Sequence, residues 1–349
     1  MPNSSHLPDI RIRINGVDLQ GLVNQDIVAV TIQEDLDATS MFSIDLYNWN
    51  PQLQQATWSD DKRFLPGGEV EISLGYVDSL LKVMTGEVTS LEPSFQADEI
   101  PRLTVRGHDH RHRMLRGKKT RSYNRMKDSA IASQVAHASG LRPKVTDSRV
   151  THEYVLQHNQ TDLAFLQERA RRIGYEIYVR DKVLYFQPPG LTGQPVTTLR
   201  LSQDIVDFFP RLTTMSQASE VRVQGWDQKG KQTISGSATS VTASMGRASG
   251  PLATRRAFGK SSVPLVRSSV TIKAEADQMA GGQLEEMAAH YIRGEVLCEG
   301  RPELHAGQVV KIEEAGKVFS GPYYVTAVTH TVDQARGYQT RLNVRRNAA

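Results

Sequence analysis

The chain has 349 residues and a mass of 38.8 kDa, with 39% apolar residues, 23% charged residues and a formal net charge of +4. That length predicts two or three domains with ordinary buried cores, and the near-average Gly and Pro content excludes collagen-like and Pro/Gly-rich disordered classes. A single cysteine, Cys298, cannot form an intramolecular disulfide, which excludes a disulfide-stapled secreted scaffold.

Neither a leader nor a membrane anchor is predicted from the sequence. The N-terminus lacks a basic region followed by an apolar one, so no signal peptide is predicted. No window approaches the length of apolar residues that a membrane-spanning segment needs. We therefore expect the protein to be made and folded in a reducing cytoplasm.

The first part of the chain shows strand patterns almost throughout. Alternating apolar side chains mark about six strands, among them IVAVTIQED, MFSIDLYN and GEVEISLGY, and no long helix interrupts them. This spacing favours an antiparallel barrel or sandwich over a sheet of alternating strands and helices. We predict a first β-barrel over residues 1–112.

The middle of the chain carries two helix patterns and a hairpin. In KDSAIASQVAHASGL, Asp128 or Ser129 is the candidate N-cap. In TDLAFLQERARRIGYEIYV, Thr161 can cap the helix and Gly174 follows three arginines at the negative end of the helix dipole. A hairpin is predicted next, from the segments YEIYV and KVLYFQP. The pattern predicts a small α/β domain over residues 113–195.

Strand patterns resume at about residue 196, with an interruption between about 231 and 294. The small-residue stretch 233–254 lacks the large apolar side chains that a core needs, which predicts a mobile loop or an extended arm that orders on a partner. A helix weakened by a Gly-Gly pair is predicted over roughly 273–293. We predict a second β-barrel over 196–349 with an insertion at about 231–294. The fold class is thus mainly β with a smaller α/β part.

Positive charge is concentrated between Arg106 and Lys127, where nine Lys and Arg residues accompany one acid. The rest of the chain is net negative, so the pI of 9.1 is weak support for a nucleic-acid partner. The segment has one aromatic residue, Tyr123, whereas single-strand binders interleave aromatic and basic residues. A stand-alone nucleic-acid-binding protein is therefore the alternative, and a basic surface facing a partner or a lumen is favoured. That surface comprises Arg111, Arg113, Arg116, Lys118, Lys119, Arg121, Arg125 and Lys127.

Three alternating histidines in the same segment, His108, His110 and His112, are the candidate metal ligands. On a strand they point to one face, and imidazole binds zinc, nickel or copper, so a metal-dependent hydrolase is a third alternative. The flanking arginines oppose a bound cation, and an exposed strand end is the favoured interpretation. No nucleophile elbow or phosphate-binding loop occurs, and Cys298 is interpreted as a small buried side chain. We predict that the protein is not an enzyme and uses no cofactor.

Several segments, in a fixed order, resemble a known family. The run QHNQTDLAFLQERARRIGYEIYVRDKVLYF resembles the Gln-x-Asn-x-x-Asp-x-x-Phe-Leu…Gly-Tyr-x-x-Tyr block of bacteriophage late-control D proteins, the contractile-tail baseplate hubs related to the N-terminal part of VgrG. The resemblance continues upstream in PGGEVEISLGY and LTVRGHDHRHRMLRGKKTRSY. It continues downstream in EVRVQGWDQKGK and PELHAGQVVKIEEAGKVFSGPYYVTAVTHTVD, and so spans nearly the whole chain.

The resemblance implies a structural role in a contractile phage tail or a phage-tail-like injection particle. It implies a homotrimer with two tail-tube-like β-barrels per subunit, which adapts the sixfold tail tube to the threefold central spike. The implied partners are further copies of the chain, a separate spike protein, tail tube or tube-initiator ring proteins, baseplate wedge proteins, and DNA or cargo in the lumen. The implied location is the tail baseplate, assembled in the cytoplasm of the host bacterium.

Overall fold

The computed structural model describes residues 7–19, 25–267 and 270–349. The predicted first barrel and the predicted insertion therefore include positions outside the described residues, namely 1–6, 20–24 and 268–269. None of the helices in the described ranges is both long and apolar enough to cross a membrane.

Strands dominate the described residues. The strands are β1 (Pro8–Ile14), β2 (Val17–Asp18), β3 (Ile27–Asp35), β4 (Met41–Tyr47), β5 (Glu69–Tyr76), β6 (Ser79–Ser94), β7 (Arg102–His108), β8 (Lys119–Lys127), β9 (Arg142–Val145), β10 (Thr151–Gln160), β11 (Glu176–Arg180), β12 (Val183–Gln187), β13 (Thr198–Arg200), β14 (Ile205–Leu212), β15 (Glu220–Asp227), β16 (Gln232–Ala238), β17 (Ser262–Val266), β18 (Ile292–Glu299), β19 (Val309–Glu313), β20 (Gly321–Asp333) and β21 (Gly337–Arg346). The described α-helices are α1 (Asp128–Ala138), α2 (Asp162–Arg172), α3 (Gly250–Phe258), α4 (Lys273–Ala289) and α5 (Gly316–Phe319), and 3₁₀-helices span Lys62–Phe64 and His110–Leu115.

One large sheet connects the two ends of the chain. Its strand order is β14-β18-β21-β20-β3-β4-β7-β6-β5-β1-β2, and β13 joins it through β19 and β20. The pairings are antiparallel apart from that of β13 with β19. The early and late parts of the chain meet where β3 pairs with β20, and there Val30 lies opposite Val332.

This sheet surrounds two separate hydrophobic cores. The first takes its buried side chains from β1 and β3 to β7, as in Ile32 and Phe42, and the second from β13 and β18 to β21, as in Tyr323 and Leu342. Each such fully buried side chain contributes about 1.5–3 kcal/mol through the hydrophobic effect. Strand β20 supplies Tyr323 to the second core and Val332 to the first. The predicted mainly β fold with two antiparallel barrels and a helical middle part is confirmed.

The helical middle part has a core of its own, in which α1 and α2 pack with the sheets β8-β10 and β11-β12-β9. The predicted Thr161 cap is confirmed, since its hydroxyl accepts a hydrogen bond from the Ala164 backbone N–H at 3.2 Å. The predicted cap of α1 is wrong, because Lys127 holds the N-cap position and Asp128 is already helical. The carboxylate of Asp128 accepts hydrogen bonds from side chains elsewhere in the fold and makes no local cap.

The inserted unit is larger than predicted. Strand β15 lies within the predicted second barrel, but it pairs with β16 and β17 in a separate three-stranded sheet covered by α4. An alternating strand has the same pattern in either sheet, so the sequence does not distinguish them. Helix α4 ends at Ala289, a few residues before the predicted end at 293. The division of the chain into units at 112/113 and 195/196 stays a prediction.

The small-residue stretch 233–254 is neither a free loop nor an arm awaiting a partner. It contributes to β16 and begins α3, and between them it packs on the last residues of its own chain. The Met245 backbone N–H donates to the Asn347 side-chain oxygen at 2.9 Å, and the Arg247 N–H donates to the Ala349 carbonyl at 3.0 Å. Hydrogen bonds from its backbone to the end of the same chain, together with the buried Met245 side chain and the partly buried Ile234, therefore order this stretch.

Candidate partner-binding surface

The structure places Arg111, the first residue of the predicted basic surface, inside the protein. Its side chain is 1% exposed, and its Nε donates to the Asp109 carboxylate at 2.9 Å. Its Nη2 donates to the Asp35 carbonyl at 2.8 Å and to the Ser40 hydroxyl at 3.0 Å. Arg111 therefore ties the 3₁₀-helix after β7 to the turn after β3, and it does not reach a partner.

Two further cations of the basic surface bind one buried acid. Asp162, the first residue of α2, has a side chain that is 3% exposed, and it contacts both Lys119 Nζ and Arg121 Nη2 at 2.5 Å. Burial raises the pKa of Asp162, but the hydrogen bonds from Lys119 and Gln157 and the charge of Arg121 outweigh burial and lower it. Lys119 and Arg121 therefore hold β8 against α2.

Arg113 and Lys127 also have acidic partners within the chain. Arg113 Nε donates to the Glu87 carboxylate at 2.8 Å, and Glu87 is nearly buried on β6. Burial raises the pKa of Glu87, yet the hydrogen bonds from Arg113 and His112 outweigh it and keep the carboxyl ionised. Lys127 Nζ donates to the exposed Asp147 at 2.9 Å.

The part of the basic surface that is both exposed and unpaired is small. Arg116, Lys118 and Arg125 are exposed, and none of them has an ion pair with any residue that the structure describes. Arg116 and Lys118 flank Gly117, whose φ of +72° turns the chain between the 3₁₀-helix and β8. Of the eight predicted cations, three are thus both exposed and without an ion pair to a described residue.

The three histidines do not lie on one strand face. His108 ends β7, where its Nδ1 lies 3.0 Å from the Thr89 hydroxyl, while His110 and His112 belong to the 3₁₀-helix. His112 Nε2 contacts Glu87 at 2.6 Å. The interpretation as an exposed strand end is wrong for His110, which is 4% exposed and whose pKa is lowered by burial. Across the described ranges, no cluster of three or more His, Cys, Asp or Glu side chains could hold a metal ion.

A buried charge cluster that the sequence did not reveal joins the middle part to the inserted unit. Arg169 Nε of α2 donates to Asp128 of α1 at 2.6 Å, and His152 Nε2 lies 3.1 Å from the same carboxylate. Arg172 Nη2 donates to Glu275 of α4 at 3.1 Å. Burial raises the pKa of Asp128, but the hydrogen bonds and charges of His152 and Arg169 outweigh burial and lower this pKa. No local pattern marks these residues, because each partner comes from a different element.

A second cluster joins the two barrels and the middle part at one point. His305 Nδ1 lies 2.6 Å from the Glu34 carboxylate of β3, and the Ala306 N–H donates to the same carboxylate at 3.2 Å. Arg180 of β11 donates to the Ala306 carbonyl at 2.8 Å. The arrangement ties three parts of the fold to one another.

The same fold occurs in solved phage tail proteins. The chain is similar to the 43 kDa tail protein of prophage MuSo2 from Shewanella oneidensis, with a TM-score of 0.72, 17% identity, and coverage of 97% of this chain and 98% of that one. For the tail protein of Neisseria meningitidis MC58 the TM-score is 0.71, with 14% identity and 97% coverage of both chains. For the E. coli c3393 protein, described as a type VI secretion component that is structurally similar to T4 bacteriophage tail proteins, the TM-score is 0.61, with 14% identity and coverage of 95% of this chain and 76% of that one.

These similarities confirm, in the fold, the predicted resemblance to contractile-tail proteins. No curated protein matches the sequence. The sequence does match the family model described as the Alg8 N-terminal domain, over residues 4–334. The chain thus has the fold of phage tail proteins and belongs to the Alg8 N-terminal domain family.

Proposed function

We propose that this protein is the structural hub of a contractile phage tail or of a phage-tail-like injection particle. In this role a homotrimer adapts the sixfold tail tube to the threefold central spike. The observation that carries the proposal is the single sheet that surrounds two cores in one chain. Three copies of such a chain present six barrels around a threefold axis, which resolves the symmetry mismatch between tube and spike.

The junction between the barrels supports this role. Strand β20 pairs with β3 over seven residue pairs, from Ala327–Asp35 to Asp333–Ala29, and its side chains enter both cores. Bending at the junction has to break these backbone hydrogen bonds and expose apolar surface. The two barrels therefore keep one relative orientation, as an adaptor between two rigid assemblies needs.

The partners in this proposal are further copies of the chain, a separate spike protein, tail tube or tube-initiator ring proteins, and baseplate wedge proteins. Its location is the tail baseplate, after assembly in the host cytoplasm. The exposed cations Arg116, Lys118 and Arg125 are proposed to face an acidic partner surface, or DNA or cargo in the lumen. We propose no catalytic role, because the solved proteins with this fold are tail components.

The nucleic-acid-binding alternative is weakened by the ion pairs of the basic segment. Five of its eight predicted cations bind carboxylates of the same chain, namely Arg111, Arg113, Lys119, Arg121 and Lys127. A cation that is held by a carboxylate of its own chain neutralises a phosphate less well and displaces fewer of the counterions condensed on the DNA, so a steep salt dependence of DNA affinity is not expected.

The mass of the purified protein in solution tests the proposal. Light scattering at several concentrations is expected to give a stable species of three times the chain mass of 38.8 kDa. A monomer at every concentration, combined with tight salt-dependent DNA binding, would contradict the hub assignment and support the alternative.

A further inference from the structure

Three arginines lie side by side on the outer face of the second barrel. Arg211 of β14 is directly opposite Arg293 of β18, and Arg293 is directly opposite Arg345 of β21. Directly opposite residues of antiparallel strands share one face of the sheet, with Cβ atoms about 5 Å apart, and like charges in this arrangement are destabilising. The row therefore has an energetic cost for the isolated chain unless something neutralises it.

The chain itself neutralises only one end of the row. Arg345 Nη2 donates at 2.6 Å to the largely buried carboxylate of Glu176, whose side chain is 12% exposed. Arg211 and Arg293 are exposed and form no ion pair with any residue in the described part of the chain. Two guanidinium groups thus face solvent next to each other, each with five N–H donors suited to a carboxylate.

These two arginines line a groove of about 620 Å³ that we call the Arg211 groove. Its floor is formed by β14, β18 and β21, and its wall is formed by Glu286 of α4 and by His290, the residue that follows α4. Nε2 of His290 lies 3.3 Å from Glu286, while its Nδ1 is buried and has no hydrogen-bond partner in the described residues. The groove therefore presents two unpaired cations, and its wall includes a buried polar atom without a partner in the described residues.

An apolar side chain and a sheet edge adjoin the groove. Phe209, in the same groove, has 67% of its surface exposed. Strand β14 ends the strand order of the large sheet, so the backbone on its outer side has no strand partner in the described residues. Pro210 of β14 offers no N–H, so an extended peptide can pair with this edge through the backbone groups on either side of Pro210 and place alternate side chains over the sheet face.

We propose that the Arg211 groove binds an acidic, apolar-containing extended segment of a protein partner. A carboxylate of that segment meets Arg211 and Arg293, and an apolar side chain packs on Phe209. The occupant is a peptide rather than a nucleic acid, because the exposed Phe209 side chain and the edge strand β14 suit an extended chain that carries apolar side chains, which a phosphate backbone lacks. This surface is separate from the exposed cations of the basic segment, and the proposal holds whether or not the chain forms a trimer.

The test uses the full-length protein and a fluorescein-labelled peptide of alternating Glu and Leu residues, followed by fluorescence anisotropy. The double variant Arg211→Glu/Arg293→Glu is expected to bind the peptide about tenfold more weakly or worse, because two charge-assisted contacts become repulsive. Phe209→Ala is expected to weaken binding about three- to tenfold through lost apolar contact. The matched control is Arg255→Glu/Arg256→Glu on the exposed face of α3, which is expected to keep wild-type affinity.

The variant Arg211→Gln/Arg293→Gln separates loss of binding from loss of folding. It removes the like-charge contact and is expected to melt at or above the wild-type temperature while losing peptide affinity. Absence of peptide binding by the wild type, or equal binding by the groove and control variants, overturns the proposal. A single-stranded DNA oligonucleotide that binds the wild type and loses affinity in the same variants also overturns it, since the groove is then a polyanion site.

Discussion

Asp162 accepts a hydrogen bond from Arg121 Nη2 at 2.5 Å, although the two residues lie 41 positions apart in the sequence. The other oxygen of the same carboxylate accepts from Lys119 Nζ. Two cations of the most basic segment of the chain therefore join β8 to α2. Charge that looks available for a partner in the sequence is used inside the subunit.

Asp162→Asn is expected to lower the free energy of unfolding at neutral pH by about 1–3 kcal/mol, because it weakens charge-assisted hydrogen bonds at a nearly buried position. The lowered pKa of Asp162 sets the pH dependence. Its stabilisation is present above the unfolded-state value of about 3.9 and is lost as pH falls through the lower folded value. Denaturant titrations of the wild type and the variant should therefore differ at pH 7 and converge in acid.

The matched control for Asp162 is Asp147→Asn, which removes an exposed partner of Lys127. We expect this variant to melt at the wild-type temperature, since exposed ion pairs contribute little. Equal stability of Asp162→Asn and the wild type at pH 7 would show that the contact to Lys119 and Arg121 does not hold the two elements together.

Charge reversal within the basic segment should separate folding from assembly. Arg116→Glu/Lys118→Glu is expected to leave the melting temperature unchanged and to reduce the yield of assembled particles, because both side chains are exposed and unpaired in the described residues. Lys119→Glu/Arg121→Glu is expected to lower the melting temperature, because it places like charges around Asp162. Thermal melts and particle yields measured on both pairs check this. A normal particle yield from Arg116→Glu/Lys118→Glu would show that these two cations do not lie at an assembly interface.

Two adjacent glycines of α4 are expected to respond to alanine in opposite directions. A Cβ at Gly282 meets the Gly174 backbone nitrogen at 2.6 Å, whereas a Cβ at Gly281 has no heavy atom within 4 Å. Gly281→Ala should stabilise the protein by about 0.5–1 kcal/mol, the gain in helix propensity. Gly282→Ala should destabilise it, because backbone has to move where α4 crosses the turn after α2. The denaturant midpoints of the two variants measure these effects. A Gly282→Ala variant that is more stable than the wild type would contradict the close approach of Gly282 to Gly174.

Local features of the fold could be predicted from the sequence. The Thr161 cap and the end of α2 before Gly174, whose φ is +69°, follow from short-range chemistry. The alternation in β4 likewise predicts which of its side chains face the core. In each case the interaction that determines the structure lies within a few residues of the pattern that reveals it.

Long-range pairing could not be predicted in the same way. Arg169 has the position of a helix-dipole partner at the end of α2, yet it is nearly buried and binds Asp128 of another helix. Strand β15 has an ordinary alternating pattern, and its place in the inserted sheet depends on β16 and β17. Partner choice is a property of tertiary structure, which a single sequence does not encode locally.

Cys298 is expected to be inert in the folded protein. Its side chain is fully buried in the second core, and burial raises the pKa of its thiol to about 12. Since the thiolate is the reactive form, iodoacetamide should modify the denatured protein fully and the native protein negligibly at pH 8. Mass spectrometry after timed labelling measures this. Rapid stoichiometric labelling of the native protein would show that the second barrel opens.

Electron microscopy of the purified oligomer, viewed end-on, tests the hub assignment most directly. The proposal predicts a ring of six similar barrel densities with threefold symmetry, two from each chain, around an open lumen. A particle with any other number of barrels, or a closed assembly without a lumen, would contradict the assignment as an adaptor between tube and spike.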